Sequence, residues 1–215
     1  MTGPTSERHV APVRPLATTY QLTVCSVPKL VWFRNAKVGT RTILKLLRKA
    51  PVEFEIEHGY NVPFDAERYR AYFKFAMVRN PWDRFVSGWK NKVCKRGKGF
   101  VELTEEQIDA FQDFGKFVDF VSDLDLDTCN IHFRRQSSLI EFGAIDHLGR
   151  FECFEDEIRT IFSELGLDLP DRLPHANRSQ RDVPYPDYYT PRTRDLIGHM
   201  YHKDIESFDY RFAKP

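Results

Sequence analysis

The stretch Val31 to Leu47, VWFRNAKVGTRTILKLL, sets an apolar run, a short polar loop and an amphipathic segment in immediate succession. Val31, Trp32 and Phe33 have strong strand propensity and no polar residue between them, which suits a buried strand. Gly39 supplies backbone freedom at the turn. Thr40 is the expected N-cap of a helix that carries Ile43, Leu46 and Leu47 on one face, with Leu44 beside it. Pro51 disfavours helical geometry at the residue before it, so this helix should stop near Lys49. The loop KVGTRT then opens a helix. Free backbone N–H groups and the helix dipole favour an anion there, and Lys37 adds a full positive charge. That is the outline of a phosphate or sulfate cradle, although an ordinary strand-to-helix connection with a solvated lysine would read the same way. It is not a Walker A loop. GxxxxGK[ST] needs a glycine well before the lysine and a hydroxyl residue after it, whereas Lys37 precedes Gly39 and is followed by Val38.

A second stretch, YFKFAMVRNPWDRFVSGWKNKV from Tyr72 to Val93, repeats the logic. Phe73 to Val78 reads as a buried strand ending at Arg79. Asn80 is a good N-cap and Pro81 fits the first helical position. Phe85, Val86, Trp89 and Val93 mark the buried face of the helix. Arg79 thus stands at the carboxyl end of a strand, where ligands of open α/β sheets sit. Ser87 lies about two turns into the helix. An arginine fork and a hydroxyl so placed suit a second phosphate; pairing of Arg79 with Asp83 is the local alternative.

Between the two stretches, VEFEIEHGYNVPFDAERY alternates at Val52, Phe54 and Ile56, the pattern of a short strand. Glu55, Glu57 and His58 are expected at its end, each a candidate general base or simply part of a solvated strand end.

The chain has 215 residues, 41% hydrophobic and 29% charged, which suits one globular domain over residues 1–215 with residues 1–20 as a loose N-terminal arm. A net charge of +1 gives no whole-protein field for nucleic acid. Cys25, Cys94, Cys129 and Cys153 form no CxxC pair, so no metal site is expected, and scattered thiols fit a reducing compartment. The N-terminal arm lacks the apolar core of a signal peptide. No run approaches the roughly 18 apolar residues of a membrane span. Taking Met1 as the natural start, a soluble cytoplasmic protein is expected.

Taken together, KVGTRT and VRNPWDRFVSGW resemble the two nucleotide-binding motifs of the sulfotransferases, above all the carbohydrate-type branch called sulfotransferase family 2 with its short bacterial members. The resemblance implies 3′-phosphoadenosine 5′-phosphosulfate (PAPS) as sulfuryl donor. It implies that Lys37, Gly39, Thr40, Arg41 and Thr42 cradle the 5′ end and that Arg79 and Ser87 bind the 3′-phosphate. The first motif departs from the family pattern in having Ala36 where proline is usual and Arg41 where a small hydroxyl residue is usual. The implied fold is a three-layer α/β/α domain around a central parallel sheet, like the P-loop nucleotide-binding enzymes.

The rest of the chain is similar to the same family in the same order. CNIHFRRQSS (Cys129 to Ser138) resembles its short His…Gln segment, with His132, Arg134 and Arg135 either facing an acceptor or on a surface loop. Ala144 to Phe151 reads as a strand, with Gly149 to Glu152 similar to the family's GRFE, and a helix from about Phe154 to Leu165 stops at Gly166. LPHANRS (Leu173 to Ser179) and the YYTP run at Tyr188 to Pro191 resemble its C-terminal pattern, Thr190 capping and Pro191 opening a last helix. Before these, Thr104 and Gln107 form a capping box, and Ile108, Phe111, Val118 and Val121 continue an apolar face that Gly115 could break. The lysines and arginine at 90, 92, 95, 96 and 98 make a basic run.

The expected activity is in-line transfer of a sulfuryl group from PAPS to a hydroxyl or amine of a small-molecule, glycan or lipid acceptor, most naturally a carbohydrate, without a metal. Lys37 would offset charge on the leaving oxygen. A general base should take the acceptor proton. His58 is the first candidate, because some carbohydrate sulfotransferases place a catalytic histidine between the two motifs, and its ordinary pKa of about 6.5 suits the task. Glu55 and Glu57 are the alternatives. Two other classes compete: a P-loop nucleotide kinase, which would need a Mg²⁺-holding hydroxyl where Val38 stands, and a non-catalytic nucleotide-binding protein on the same fold.

Overall fold

The computed structural model describes residues 18–95, 103–173 and 183–212. Five strands form one sheet in the order β3-β1-β2-β4-β5, with β1 Thr19–Val27, β2 Leu30–Phe33, β3 Glu53–Pro63, β4 Phe73–Val78 and β5 His147–Arg150. The centre is parallel: β2 pairs with β4, and β4 with β5. β1 runs antiparallel to both β2 and β3. The sheet is therefore mixed rather than wholly parallel. The short β1–β2 connection is the physical reason: two residues can join antiparallel strands, whereas parallel neighbours need a crossover of a dozen residues or more.

The two faces of the sheet are filled by alternate residues. Leu30, Trp32, Phe75 and Met77 pack against Ile43, Leu46 and Leu47 of helix α1 (Thr40–Leu47) and Ile158, Ile161 and Phe162 of α5 (Phe154–Glu164). The Trp32 and Phe75 rings stack across the parallel β2–β4 pair at 5.5 Å. On the other face, Leu22, Val24, Val31, Phe33, Ala76 and Val78 meet Tyr69, Ile140, Phe208 and Tyr210.

A third cluster absorbs much of the aromatic content. Phe85 and Trp89 of α2 (Pro81–Trp89), Phe117 and Val121 of α4 (Phe114–Ser122), Ile197 and Met200 of α6 (Pro191–Met200), and Phe133 and Tyr201 pack together. Each fully buried phenylalanine contributes about 1.5–3 kcal/mol. Phe85 touches Phe114, Phe117, Phe133 and Tyr201 edge-on or tilted. The remaining helices are short: α3 (Glu105–Ala110) and α7 (His202–Ser207).

Several caps follow the sequence reading. The Asn80 side chain accepts from the N–H groups of Trp82 and Asp83, with Pro81 at the first helical position. Thr104 with Gln107, and Thr190 with Thr193, form capping boxes. Gly166 ends α5 with φ 64°, where Leu167 N–H donates to Phe162 O.

Others are corrected. Thr40 is the first residue of α1, and its N-cap is Gly39; the Thr40 hydroxyl turns back to donate to Asn35 O at 2.7 Å. β3 spans 11 residues, so Glu55, Glu57 and His58 lie along the strand and not at its end. Its partner β1 supplies the pairing that prolongs it. The expected strand over Ala144 to Phe151 shortens to His147–Arg150, because helical turns occupy Phe142–Ala144 and Phe151–Cys153. The apolar face of α3 and α4 breaks at Phe111–Asp113, where Asp113 caps α4, while Gly115 lies inside that helix. Arg96 and Lys98 of the basic run, and LPHANRS beyond Leu173, lie outside the described residues, as does most of the N-terminal arm. No helix among the described residues is long and apolar enough to cross a membrane.

Candidate active site

Parallel β2 and β4 end on the same edge of the sheet, and the two sequence motifs follow those ends. The loop after β2 carries two left-handed residues, Lys37 at φ 70° and Gly39 at φ 81°. Such alternation turns successive N–H groups to one side and makes an anion-binding concavity. At the start of α1 the first N–H groups have no intrahelical acceptor and add to it. A side chain is excluded at Gly39, since a Cβ there would stand 2.3 Å from the Phe154 ring. Val38 is fully buried, so the position where a kinase needs a magnesium-holding hydroxyl is occupied by core packing.

Two arginines brace the loop from the second motif. Arg79 Nη1 donates to Lys37 O at 3.0 Å, and its Nε to Asp83 Oδ2 at 2.7 Å. Its guanidinium also lies 4.2 Å from the centre of the Phe151 ring. The local pairing with Asp83 therefore coexists with a contact to the cradle. Arg84, only 1% exposed, donates to Ala36 O at 3.1 Å and to Ile131 O at 2.8 Å. Ser87 is buried one helical turn beyond Asp83, on the same side of α2.

The charges that shift Lys37 are cations. Burial first, and then Arg79, Lys92, Arg41 and Arg84, lower its pKa to about 7. A concentration of cations at a helix N-terminus calls for an anion of more than one negative charge. Lys37, Arg41, Lys92 and the loop N–H groups are a donor set that suits a phosphosulfate end, while buried Arg84 adds its charge from behind with its donors on Ala36 O and Ile131 O. Among the described residues no group of His, Cys, Asp or Glu side chains could hold a metal ion.

The sequence-nominated bases lie on β3. His58 is on exposed β3, with Nδ1 at 2.8 Å from Arg34 Nη1 and Nε2 at 3.2 Å from Arg48 Nη2. Desolvation and the Arg34 guanidinium hold its pKa below the ordinary histidine value. Glu57 pairs with Arg48. Glu55 accepts from Arg68 at 2.8 Å and from the Tyr72 hydroxyl at 2.7 Å. These three are thus grouped with arginines along the edge strand. Lys37, Arg41, Arg79 and the second-motif helix are grouped at the cradle.

Further residues stand behind the cradle and the start of α2. His132 is half-buried, and Lys92, Lys37, Arg84 and Arg41 all act on its charge. Gln136 is fully buried and pairs with the backbone of Arg79, while buried Asp204 accepts from the N–H groups of Gln136 and Ser137. Glu152 of the GRFE segment accepts from Asn80 N–H at 2.7 Å and from the Tyr210 hydroxyl at 2.9 Å. The signal for Asp204 is a carboxylate in a helix so short that its tertiary contacts must define it; sequence alone does not name its partners.

A sulfotransferase family model matches residues 17–211. The chain belongs to the sulfotransferase family. Among curated proteins, the chain is similar to carbohydrate sulfotransferase 14 of Danio rerio, at 24% identity over 206 residues, covering 82% of this chain and 52% of the relative. It thus spans about half the length of the curated relative it matches. No solved structure matches the chain significantly. The family match covers both motifs, the His…Gln segment and the GRFE segment, so the sulfuryl-transfer family and the cationic cradle are found in one continuous region.

Proposed function

We propose that this chain transfers a sulfuryl group from PAPS to a hydroxyl or amine of a carbohydrate or glycoside acceptor. The observation that carries the reading is the convergence of Lys37, Arg41, Arg79, Arg84 and Lys92 on the start of α1, in a chain of the sulfotransferase family. PAPS supplies the activated sulfuryl group, and the protein supplies position and charge. In this reading Gly39, Thr40, Arg41 and Thr42 bind the 5′ end through backbone N–H groups and the Arg41 side chain. Lys37 holds its ammonium against the bridging oxygen and offsets the charge that grows there. Arg79 and Ser87 take the 3′-phosphate. His58 on β3, with Glu55 and Glu57 beside it, stands as a candidate for the proton acceptor, its ring nitrogens next to the Arg34 and Arg48 guanidiniums. The whole is proposed to be one domain with a three-layer, P-loop-like arrangement.

The carbohydrate acceptor rests on the similarity to a carbohydrate sulfotransferase. The test is transfer of label from ³⁵S-labelled PAPS to desulfated polysaccharides and simple glycosides. Wild type is expected to label at least one class. Lys37→Met is expected to lose about 10²–10³-fold in rate, the range for removing one preorganised charge-stabilising donor. Binding of 3′,5′-bisphosphoadenosine (PAP) without transfer to any acceptor would instead favour the non-catalytic nucleotide-binding reading.

A further inference from the structure

Asn130 Oδ1 accepts from the backbone N–H of His132 at 3.1 Å and also meets the His132 ring at Nδ1, 2.8 Å away. A backbone N–H can only donate, so that Asn130 atom is the amide oxygen, an acceptor. The ring nitrogen facing it must therefore carry the proton. This fixes the neutral His132 as the Nδ1–H tautomer and leaves the Nε2 lone pair as its basic site. Such an orienting partner is what a histidine base requires.

The ring is also tied to the cradle. The single buried guanidinium of Arg84 holds Ala36 O, immediately before Lys37, and Ile131 O, immediately before His132. Phe133, next in sequence, is 1% exposed and packs against Phe85 and Phe117. It fits because position 88 is glycine; a Cβ there would stand 2.8 Å from the Phe133 ring. His132 is thus held from both sides, and Lys37 is pinned by the same guanidinium.

Resting on the sulfotransferase reading, we propose that Nε2 of His132 is the base that takes the acceptor proton, with Asn130 as its positioning residue. As the acceptor oxygen bonds to sulfur and the bond from sulfur to the bridging oxygen breaks, the acceptor proton passes to Nε2. The electron pair of the broken bond leaves with the phosphate, whose charge Lys37 faces, and the imidazolium then releases its proton to water. The groups acting on the ring are Lys92 from the turn after α2, Lys37 from the loop, Arg84 from α2 and Arg41 from α1. Burial first, and then these cations, hold the free ring to a pKa of about 3. Negative charge entering the cradle opposes those cations and raises the pKa. The base gains strength when the donor is present.

The test is ¹⁵N NMR of histidine-labelled protein with and without PAP, alongside PAP calorimetry on wild type and His132→Gln. The expected result is a neutral Nδ1–H ring whose pKa rises by about one unit or more with PAP, and a dissociation constant in His132→Gln within about twofold of wild type. Asn130→Ala should release the tautomer preference in the same spectra. A ring protonated at Nε2, a titration unmoved by bound PAP, or a tenfold or greater loss of PAP affinity in His132→Gln would overturn the proposal. The last result would make the ring a donor ligand. Failure of wild type to bind PAP would instead defeat the sulfotransferase reading beneath it.

Discussion

The side-chain amide of Gln136 is paired with both backbone groups of Arg79: Arg79 N–H donates to Gln136 Oε1, and Gln136 Nε2 donates to Arg79 O, each at 2.9 Å. A buried glutamine thus continues the hydrogen bonding of β4 one residue past its end. Asp204 fixes the glutamine's own backbone from behind, at 2.8 Å. Gln136→Ala would leave two backbone groups of Arg79 without this partner in a dry site. We expect a loss of about 1–3 kcal/mol in urea unfolding, with weaker PAP binding because Arg79 loses its anchor. Unchanged stability would show that water replaces the amide.

Gly39 combines a left-handed backbone with direct contact on the Phe154 ring. Gly39→Ala should destabilise by about 1–2 kcal/mol from backbone handedness alone, with a further steric loss. The double variant Gly39→Ala/Phe154→Ala separates the two. Relative to Phe154→Ala alone, adding the alanine should cost less than it does in wild type, because the clash is gone and only backbone strain remains. Equal costs in both backgrounds would mean that Phe154 does not press on the loop.

Lys37 carries a pKa depressed to about 7 by burial and neighbouring cations. Its work needs the ammonium form. PAP binding at pH 8 should therefore take up close to one proton at this site, falling toward zero near pH 6, as read by calorimetry in buffers of different ionisation enthalpy. The sign for stability follows from the same shift. Between pH 7 and the ordinary lysine range the unfolded chain holds this proton and the folded chain does not, so Lys37 destabilises least at high pH. The stability gained by Lys37→Met should be full below pH 7 and shrink as pH rises from 7 toward 10. A difference that stays constant over this range would show that Lys37 keeps its proton in the free protein.

Arg84 bridges two carbonyls that belong to different segments, Ala36 and Ile131. A lysine cannot span both with a planar fork. Arg84→Lys should lower the transfer rate by about 10²-fold, the scale of a misplacement of about 1 Å, while Arg84→Met should also lower the melting temperature. Full activity in Arg84→Lys would show that the bridge does not position the loop.

How far the sequence reveals this molecule depends on the range of the signal. Asn80–Pro81, Thr104–Gln107 and Thr190–Pro191 state their caps within a few residues, and the structure has them there. The apolar runs of β2 and β4 are short enough to read directly. β1 escaped because its run, with Gln21, Thr23 and Ser26 among its apolar residues, has no helix or motif after it; its burial comes from being flanked by β2 and β3. Thr40 looked like a cap because its type favours one, but the left-handed turn at Gly39 takes that place. At the site, the apolar runs place Lys37 and Arg79 just past the ends of β2 and β4, and the structure has Arg79 donating to Lys37 O. Gln136 meets Arg79 and Asp204 only through packing across 57 and 68 residues of chain.

The proposed function stands on an anion site for PAPS at the start of α1. The most direct measurement is calorimetric titration of PAP and of ATP into wild type and Arg79→Ala, in chelator and then with Mg²⁺. The account predicts metal-independent PAP binding, ATP weaker by about tenfold or more for want of the 3′-phosphate contacts, and loss of that preference in Arg79→Ala. Tighter binding of ATP with Mg²⁺ than of PAP, or no binding of either, would contradict it.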